Sequence, residues 1–491
     1  MTLPAEELSL EGFAGDGRAD TMAPGPLLAM VLGVVAGEDG AGLAGLSDDQ
    51  LIGFLSGTRR MESRMAWAKM AALAELASRP RRQDFAADEV AAAFNVTWLS
   101  AAGEIDYSST VARRLPVTFA ALAAGKVHPV HVKIIEDVTG ILSEEDAAIA
   151  DAELAEAAQS KTYGELRRAA TRLVLKLDAE AVRRRKEQAR RRGATVRSFR
   201  EESGNAGITG REMPSVEVLA SMQHVEARAR ALREAGIPGT WEELKVRATL
   251  DLLQERDSRS APGGPSASGG TEGPGGPAAD AGPSIGAMIT ITVPHTALGG
   301  DCGPPGNVAG FGIVDHADTR DLVAAAAGHP ATRWCVTVLN PDGTAAAHGC
   351  GAGSRRWPPE QGPPGAMTSR GLLEFLNIRK LTPVIRGPCQ HARAEHRYRP
   401  SRKLQHLVRA RNATCTAPGC GRRAASCDLD HTDPHHQGGR TCECNLAPLC
   451  RHHHRCKQAE GWWLEQPEPG VLVWHTPAGR TYTTTPTRYA A

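Results

Sequence analysis

The cysteines and histidines of this chain are crowded into its last part. No cysteine precedes Cys302, seven of the 11 lie between Cys415 and Cys456, and nine of the 17 histidines lie between His391 and His454. The chain begins with an acidic segment where a signal peptide would be basic, so we expect a cytoplasmic protein with reduced cysteines. Reduced cysteines close to histidines favour metal binding over disulfide bonding.

Length, charge and hydropathy exclude some classes of protein. A chain of 491 residues is long enough for two to four domains at roughly 100–200 residues each. The net charge of +1 excludes a uniformly basic nucleic-acid coat protein. Apolar runs stay short of the roughly 18–20 residues that cross a bilayer, so we expect no membrane partner.

Helical periodicity dominates the first half of the chain. Ser47–Gln50 and Thr162–Glu165 have the spacing of capping boxes at the start of apolar helical patterns. We predict a disordered N-terminus at 1–25 and a mostly α domain at 26–257. Seven of the ten residues in Arg183–Arg192 are basic. This segment is either a solvated helix end or a stripe that contacts phosphate.

Composition changes sharply after the helical region. Of the 27 residues in 258–284, 23 are Gly, Pro, Ser or Ala, which predicts a disordered linker. A small mixed α/β middle region follows at 285–400, with strands expected at 288–293 and 333–339. Residues 401–491 form the last domain, which ends in an expected β-hairpin.

Two ligand pairs in the last domain have the spacing of a zinc site. Cys415-x4-Cys420 and Cys450-x2-His453 are separated by 29 residues, and tetrahedral zinc is commonly held by two such pairs. Reduced core cysteines are the alternative, which two spaced pairs make less favourable. Cys442-x-Cys444 could bind metal in a rearranged knuckle, but its one-residue spacing is poor for a zinc loop, so the additional thiols are interpreted as incidental. They are Cys427, Cys442, Cys444 and Cys456.

A second set of polar residues lies between and beside these pairs. Asp430 and His454 offer oxygen and nitrogen donors to one divalent cation, with positions left for water and phosphate. His431 can take up a proton near neutral pH, and Asn445 can fix its orientation by a hydrogen bond. His435 and His436 are read as polar loop residues.

The pattern D-H-x13-N-x8-H, nested inside the two pairs, closely resembles the HNH nuclease family with its ββα-metal fold. The order of a helical domain, a linker and this motif also resembles a large bacterial family. Its members join a helical domain of unassigned function to a C-terminal HNH domain. The resemblance implies a metal-dependent endonuclease that hydrolyses DNA phosphodiester bonds.

The resemblance also implies residue roles. His431 would be the general base, Asp430 and His454 would bind a catalytic Mg²⁺, Mn²⁺, Ni²⁺ or Zn²⁺, and Asn445 would orient His431. Structural zinc would be bound by Cys415, Cys420, Cys450 and His453. Because His452, His453 and His454 are consecutive, the division of ligands between the two metals could shift by one residue.

Local charge favours DNA as the partner. Residues 386–457 contain 14 Lys or Arg and 5 Asp or Glu, a net charge of +9 with histidine neutral. Such a patch attracts a polyanion through counterion release. Candidate DNA contacts are Arg402, Lys403, Arg409, Arg411 and Lys457.

Two other classes of function stay open at this point. A non-catalytic zinc module that binds DNA or protein would need the zinc ligands alone. An interaction protein whose main activity lies in the helical domain would carry a dormant nuclease.

Overall fold

The computed structural model describes residues 10–15, 17–79, 85–178, 180–260, 288–294, 306–308, 312–314, 333–351, 373–374, 377–378 and 380–489. Most of the linker expected at 258–284 lies outside these ranges. Its first residues, Ser258–Ser260, form a 3₁₀ turn in which Ser258 donates hydrogen bonds to the buried carboxylate of Asp251.

The N-terminal part is helical from residue 26 onward. Both predicted capping boxes are present, with Ser47 and Gln50 closing the start of one helix and Thr162 and Glu165 closing the start of another. The helices are α1 Pro26–Ala36, α2 Asp48–Ser78, α3 Ala86–Phe94, α4 Trp98–Arg114, α5 Pro116–Ala123, α6 Pro129–Thr139, α7 Glu144–Ala157, α8 Tyr163–Leu177, α9 Ala181–Gly193, α10 Ser215–Glu234 and α11 Trp241–Leu253.

Helices α2 and α4–α8 bury a shared apolar core, α10 and α11 pack on each other, and another cluster buries the N-terminal segment. Leu122, Ile135 and Leu166 are fully buried in the main core. Phe13 is fully buried against α1 and α2, and a 3₁₀ turn spans Leu10–Phe13. The expectation of disorder at 1–25 is therefore wrong for the described residues 10–15 and 17–25. The apolar side chain of Phe13 is the physical reason, because its burial orders the segment around it.

The basic segment forms most of α9, which is followed by a hairpin. Strands β1 Thr195–Arg200 and β2 Ala206–Arg211 pair in antiparallel register. Acidic neighbours pair with some of the basic side chains: Arg183 with Glu180, Arg184 with Asp178, and Arg191 with Glu187. These exposed pairs fit a solvated helix end.

The middle region contributes a mixed sheet. Strands β3 Met288–Pro294, β6 Arg333–Leu339, β7 Ala345–Cys350 and β8 Thr382–Pro383 lie side by side in that order. The β3–β6 pair is parallel and the other pairs are antiparallel. A separate antiparallel pair is formed by β4 Gly306–Val308 and β5 Gly312–Val314.

The last part of the chain packs directly on this sheet. Helix α12 Arg402–Arg411 places Leu407 in one cluster with Ala345 and Val384, and Tyr489 packs against it. The Tyr489 hydroxyl donates a hydrogen bond to the carbonyl of Ala410. Residues 333–400 and 401–489 therefore share a core across the expected boundary at 400.

Short elements carry the predicted motif. Strands β9 Asp428–His431 and β10 Leu446–Leu449 pair in antiparallel register, with Leu446 opposite His431, and helix α13 Arg451–Cys456 follows. Where a hairpin was expected at the end, three strands form a sheet: β11 Trp463–Glu468, β12 Val471–His475 and β13 Thr481–Thr484. Within the described ranges, the chain has no helix that is both long and apolar enough to cross a membrane.

Candidate metal centre and active site

The four predicted zinc ligands come together in the structure. One donor atom from each of Cys415, Cys420, Cys450 and His453 lies within 4.8 Å of the others. The Nδ1 atom of His453 is 3.1 Å from Cys450 Sγ and 3.5 Å from Cys415 Sγ. Three thiols and one imidazole at these separations could hold a metal ion such as zinc.

Backbone contacts position each ligand pair. The amide of Cys415 donates to the carbonyl of Arg422, and the amide of Cys420 donates to that of Ala417, which closes a tight turn. Cys450 is the residue before α13, so His453 follows it by one helical turn. The two pairs then meet at the N-terminal end of that helix.

Asp430 and His454 also lie side by side. The Nε2 atom of His454 is 3.2 Å from Asp430 Oδ1, and its Nδ1 atom is 3.0 Å from Oδ2 of Asp428, a residue that the motif did not single out. Lys457 Nζ lies 2.5 Å from Asp430 Oδ2 and also donates to the carbonyl of His431. Lys457 thus contacts a carboxylate in this structure, where a phosphate contact was predicted.

The charges around Asp430 keep it ionised. Burial raises the pKa of this carboxyl, but the hydrogen bond from His454 and the charge of Lys457 outweigh burial and hold the pKa below its ordinary value. An ionised carboxylate beside an imidazole fits a hard divalent cation such as Mg²⁺ or Mn²⁺.

His431 is buried at the end of β9. Its Nε2 atom is 2.8 Å from Thr441 Oγ1, and its ring stacks on Tyr398 with centroids 5.4 Å apart. Burial, together with the nearby His435, lowers the pKa of His431. The imidazole is therefore neutral at neutral pH and able to accept a proton.

Asn445 supports the loop next to His431 through its side-chain amide, which bonds to the backbone of that loop. Its Oδ1 atom accepts the amide of Asp433 at 2.7 Å, and its Nδ2 atom donates to the carbonyls of Asp433 and Arg440, both at 3.0 Å. The expected direct bond to His431 is replaced by a clamp across the loop 433–440. Thr441 makes the bond to the imidazole.

Two arginines that were predicted to contact DNA form hydrogen bonds within the protein. Arg411 is 2 % exposed, and its guanidinium donates to the carbonyls of Glu443 and Leu446 and to Asn412 Oδ1. Arg409 donates to the carbonyl of Ala424 at 3.2 Å. The burial of Arg411 rules out its expected phosphate contact, because backbone carbonyls take its donors, whereas Arg409 is half-buried and directs only some of its N–H donors to Ala424 and Gln405. Arg402 and Lys403 are exposed on α12.

Comparison with known proteins gives a domain for the helical part. Residues 59–217 match the family model described as a domain of unknown function, DUF222. The chain is 28 % identical over 467 residues to the uncharacterized protein Rv3776 of Mycobacterium tuberculosis (strain ATCC 25618 / H37Rv), covering 89 % of this chain and 80 % of that protein. It is 27 % identical over 472 residues to the uncharacterized protein Rv2100 of the same strain, covering 89 % and 78 %. No solved structure matches the chain.

The DUF222 domain directly contacts His453, one of the four predicted zinc ligands. Asp88 of α3 is 5 % exposed, and its Oδ1 atom lies 3.1 Å from Nε2 of His453 and 2.9 Å from Nε2 of His452. The ring of His452 stacks on Trp98 of α4, with centroids 3.9 Å apart and planes inclined by 7°. A carboxylate on the far nitrogen of a ligating histidine fixes the ring and raises its basicity. Asp88 is in that position, although it comes from the other end of the chain.

Two further groups of cysteine and histidine were missed by the sequence interpretation. The structure gathers Cys389 and His391 with Cys442 and Cys444, the last two of which were interpreted as incidental. It also gathers Cys335, His348, Cys350 and His406. The pairs Cys389-x-His391, Cys442-x-Cys444 and His348-x-Cys350 were the available signal. The last pair lies in β7, where residues two apart share one face.

Proposed function

We propose that this chain is a metal-dependent endonuclease of the HNH type that hydrolyses phosphodiester bonds in DNA. The observation that carries the proposal is the approach of His454 Nε2 to Asp430 Oδ1, at 3.2 Å, next to His431. The order strand, strand, helix in 428–456 supports the proposal, because it brings Asp430 of the first strand against His454 of the helix.

Asp430 and His454 would hold the catalytic metal. When bound, the metal would polarise the phosphate and stabilise the developing charge on the leaving oxygen. His431 accepts a proton from the attacking water, since its lowered pKa keeps the ring neutral. Thr441 and Tyr398 fix the plane of that ring, and Asn445 holds the loop that follows it.

Exposed basic residues supply the affinity for the DNA backbone. Arg402 and Lys403 are exposed on α12, and Arg440, Arg451 and Arg455 are exposed around the motif. Phosphate contacts of this kind position a nucleic acid without reading its sequence.

A non-catalytic zinc module that binds DNA is the second candidate, and one contact favours it. Lys457 neutralises Asp430 and bonds the carbonyl of His431, so the carboxylate already has a cationic partner. This amine lies on Oδ2 of Asp430 and leaves only Oδ1, the oxygen facing His454, for a metal ion.

Cleavage of supercoiled plasmid by the full-length protein separates the candidates. The protein is treated briefly with EDTA, its remaining zinc is measured, and Mg²⁺, Mn²⁺, Ni²⁺ or Zn²⁺ is returned separately. We expect metal-dependent nicking that falls roughly 10²–10⁴-fold in His431→Ala, the usual contribution of a positioned general base. DNA affinity and zinc content should stay at the wild-type level.

His436→Ala is the matched control, because His436 is exposed in the same loop. It should cut like wild type. Full activity in His431→Ala would remove the assignment of the base, and DNA binding by wild type without cleavage in any metal would favour the non-catalytic module.

A further inference from the structure

Three ligands of one additional group lie on the same face of the β6–β7 pair. Cys335 is the register partner of Cys350 across the two strands, and His348 precedes Cys350 by two residues. Residues two apart in a strand, and residues directly opposite each other, project from the same face. Helix α12 places His406 over this face, and the His348 and His406 rings are 5.9 Å apart.

The distances within this group lie within about 0.6 Å of those of a tetrahedral zinc site. Bond lengths of about 2.3 Å to sulfur and about 2.0 Å to nitrogen place two sulfurs about 3.8 Å apart and sulfur about 3.5 Å from nitrogen. Cys350 Sγ is 3.3 Å from Cys335 Sγ, 3.4 Å from His348 Nε2 and 2.9 Å from His406 Nδ1. Cys335 Sγ is 4.0 Å from His406 Nδ1.

A buried hydroxyl fixes the ring of one ligand. The Nδ1 atom of His348 is 2.8 Å from the Oγ1 atom of Thr337, which is 1 % exposed. This contact leaves Nε2 of His348 directed at Cys350. Metal-bound histidines usually have such a partner on the nitrogen that does not bind the metal.

Separate distances support the second group, which consists of Cys389, His391, Cys442 and Cys444. Cys389 Sγ is 3.6 Å from Cys442 Sγ, and Cys444 Sγ is 3.3 Å from His391 Nδ1. Glu443, between the two cysteines, is 1 % exposed and is held by Arg393 at 2.8 Å. That ion pair joins the segment carrying Cys389 and His391 to the turn carrying the other two ligands.

We propose that the chain binds two zinc ions in addition to the one at Cys415, Cys420, Cys450 and His453. One is held by Cys335, His348, Cys350 and His406, and the other by Cys389, His391, Cys442 and Cys444. Each cysteine binds as the thiolate and releases its proton on metal binding. The first ion joins the middle sheet to α12, and the second fixes the turn that leads into Asn445.

The zinc content of the full-length protein tests this proposal. The result of this test does not depend on whether the chain cuts DNA. We expect three zinc ions per chain by elemental analysis of protein purified without chelator. Cys350→Ala and Cys444→Ala should each leave two, and the double variant should leave one. Cys427→Ser should keep three, because Cys427 is in none of the three groups.

A ligand-exchange variant distinguishes the loss of a zinc ligand from the loss of zinc through misfolding. Cys350→His should keep three zinc ions, because imidazole can replace thiolate as a ligand, whereas Cys350→Ala loses one with the same helical content by circular dichroism. When the zinc of the wild-type protein is replaced by Co²⁺, the visible absorption of tetrahedral sulfur–nitrogen sites should increase until three Co²⁺ ions are bound per chain.

Three results would overturn the proposal. One zinc ion per wild-type chain removes both additional sites. Two zinc ions per wild-type chain remove one of the additional sites, namely the one whose alanine variant still contains two. A Cys335–Cys350 disulfide, detected by mass spectrometry without reduction in freshly purified protein, removes the first site.

Discussion

Removal of the Asp88 carboxylate should weaken zinc binding by ligands that lie more than 320 residues further along the chain. Asp88 accepts hydrogen bonds from His452 and His453, and these bonds hold the pKa of its carboxyl below the ordinary value although burial raises it. Loss of a carboxylate behind a ligating histidine lowers metal affinity by roughly 10- to 100-fold. That range corresponds to about 1.4–2.7 kcal/mol.

The assay is competition for zinc with a chromophoric chelator, using full-length Asp88→Ala. The component belonging to this site is the one that disappears in Cys420→Ser. Asp106→Asn is the control, because Asp106 is an exposed carboxylate on the adjacent α4. His452→Ala gives the second comparison: it removes the stack on Trp98 but leaves the bond between Asp88 and His453.

We expect Asp88→Ala alone to weaken this zinc component. Equal zinc affinity in Asp88→Ala and Asp106→Asn, within about twofold, would refute the role of Asp88. An equal loss in Asp88→Ala and His452→Ala would show that docking of the DUF222 domain, rather than support of His453, protects the metal.

Three other variants test the fold around these sites. Asp151→Ala should lower the free energy of unfolding by about 2–4 kcal/mol in chemical denaturation, because its buried carboxylate accepts the amides of Val117 and Thr118; the exposed Glu153→Ala should stay within about 0.5 kcal/mol of wild type. Arg411→Met should lower the thermal midpoint rather than DNA affinity, since its donors bond buried carbonyls at 2.6 and 2.7 Å. Gly419→Ala should lower the free energy of unfolding by about 1–3 kcal/mol or more, because φ at Gly419 is +68° and a Cβ there would lie 2.3 Å from a carbonyl oxygen of the DUF222 domain. The control Gly421→Ala should leave the stability nearly unchanged, because a Cβ at Gly421 meets open space.

Local patterns were the features that could be predicted from the sequence. The capping boxes at Ser47 and Thr162 depend on residues three apart, and both are present. The strand β6 at 333–339 has the predicted bounds. Each depends on the periodicity of its own segment, which the sequence displays directly.

Contacts between distant segments could not be predicted in the same way. Asp88 has no local feature that connects it to His453, and Cys350 and His406 meet because a helix crosses a sheet. Arg411 reads as a surface cation until its burial is known. Phe13 lies in a polar segment, and its partners in α1 and α2 are what order it.

The run His452-His453-His454 divides three tasks among consecutive residues of one helical turn. Successive side chains of a helix point about 100° apart. One histidine therefore faces Trp98, the next faces the thiols, and the third faces Asp430. An insertion or deletion of one residue between Cys450 and His452 would reassign all three rings at once, so relatives that keep these contacts should have this segment at constant length. The loop 433–440, which Asn445 clamps only at its two ends, is where length can vary.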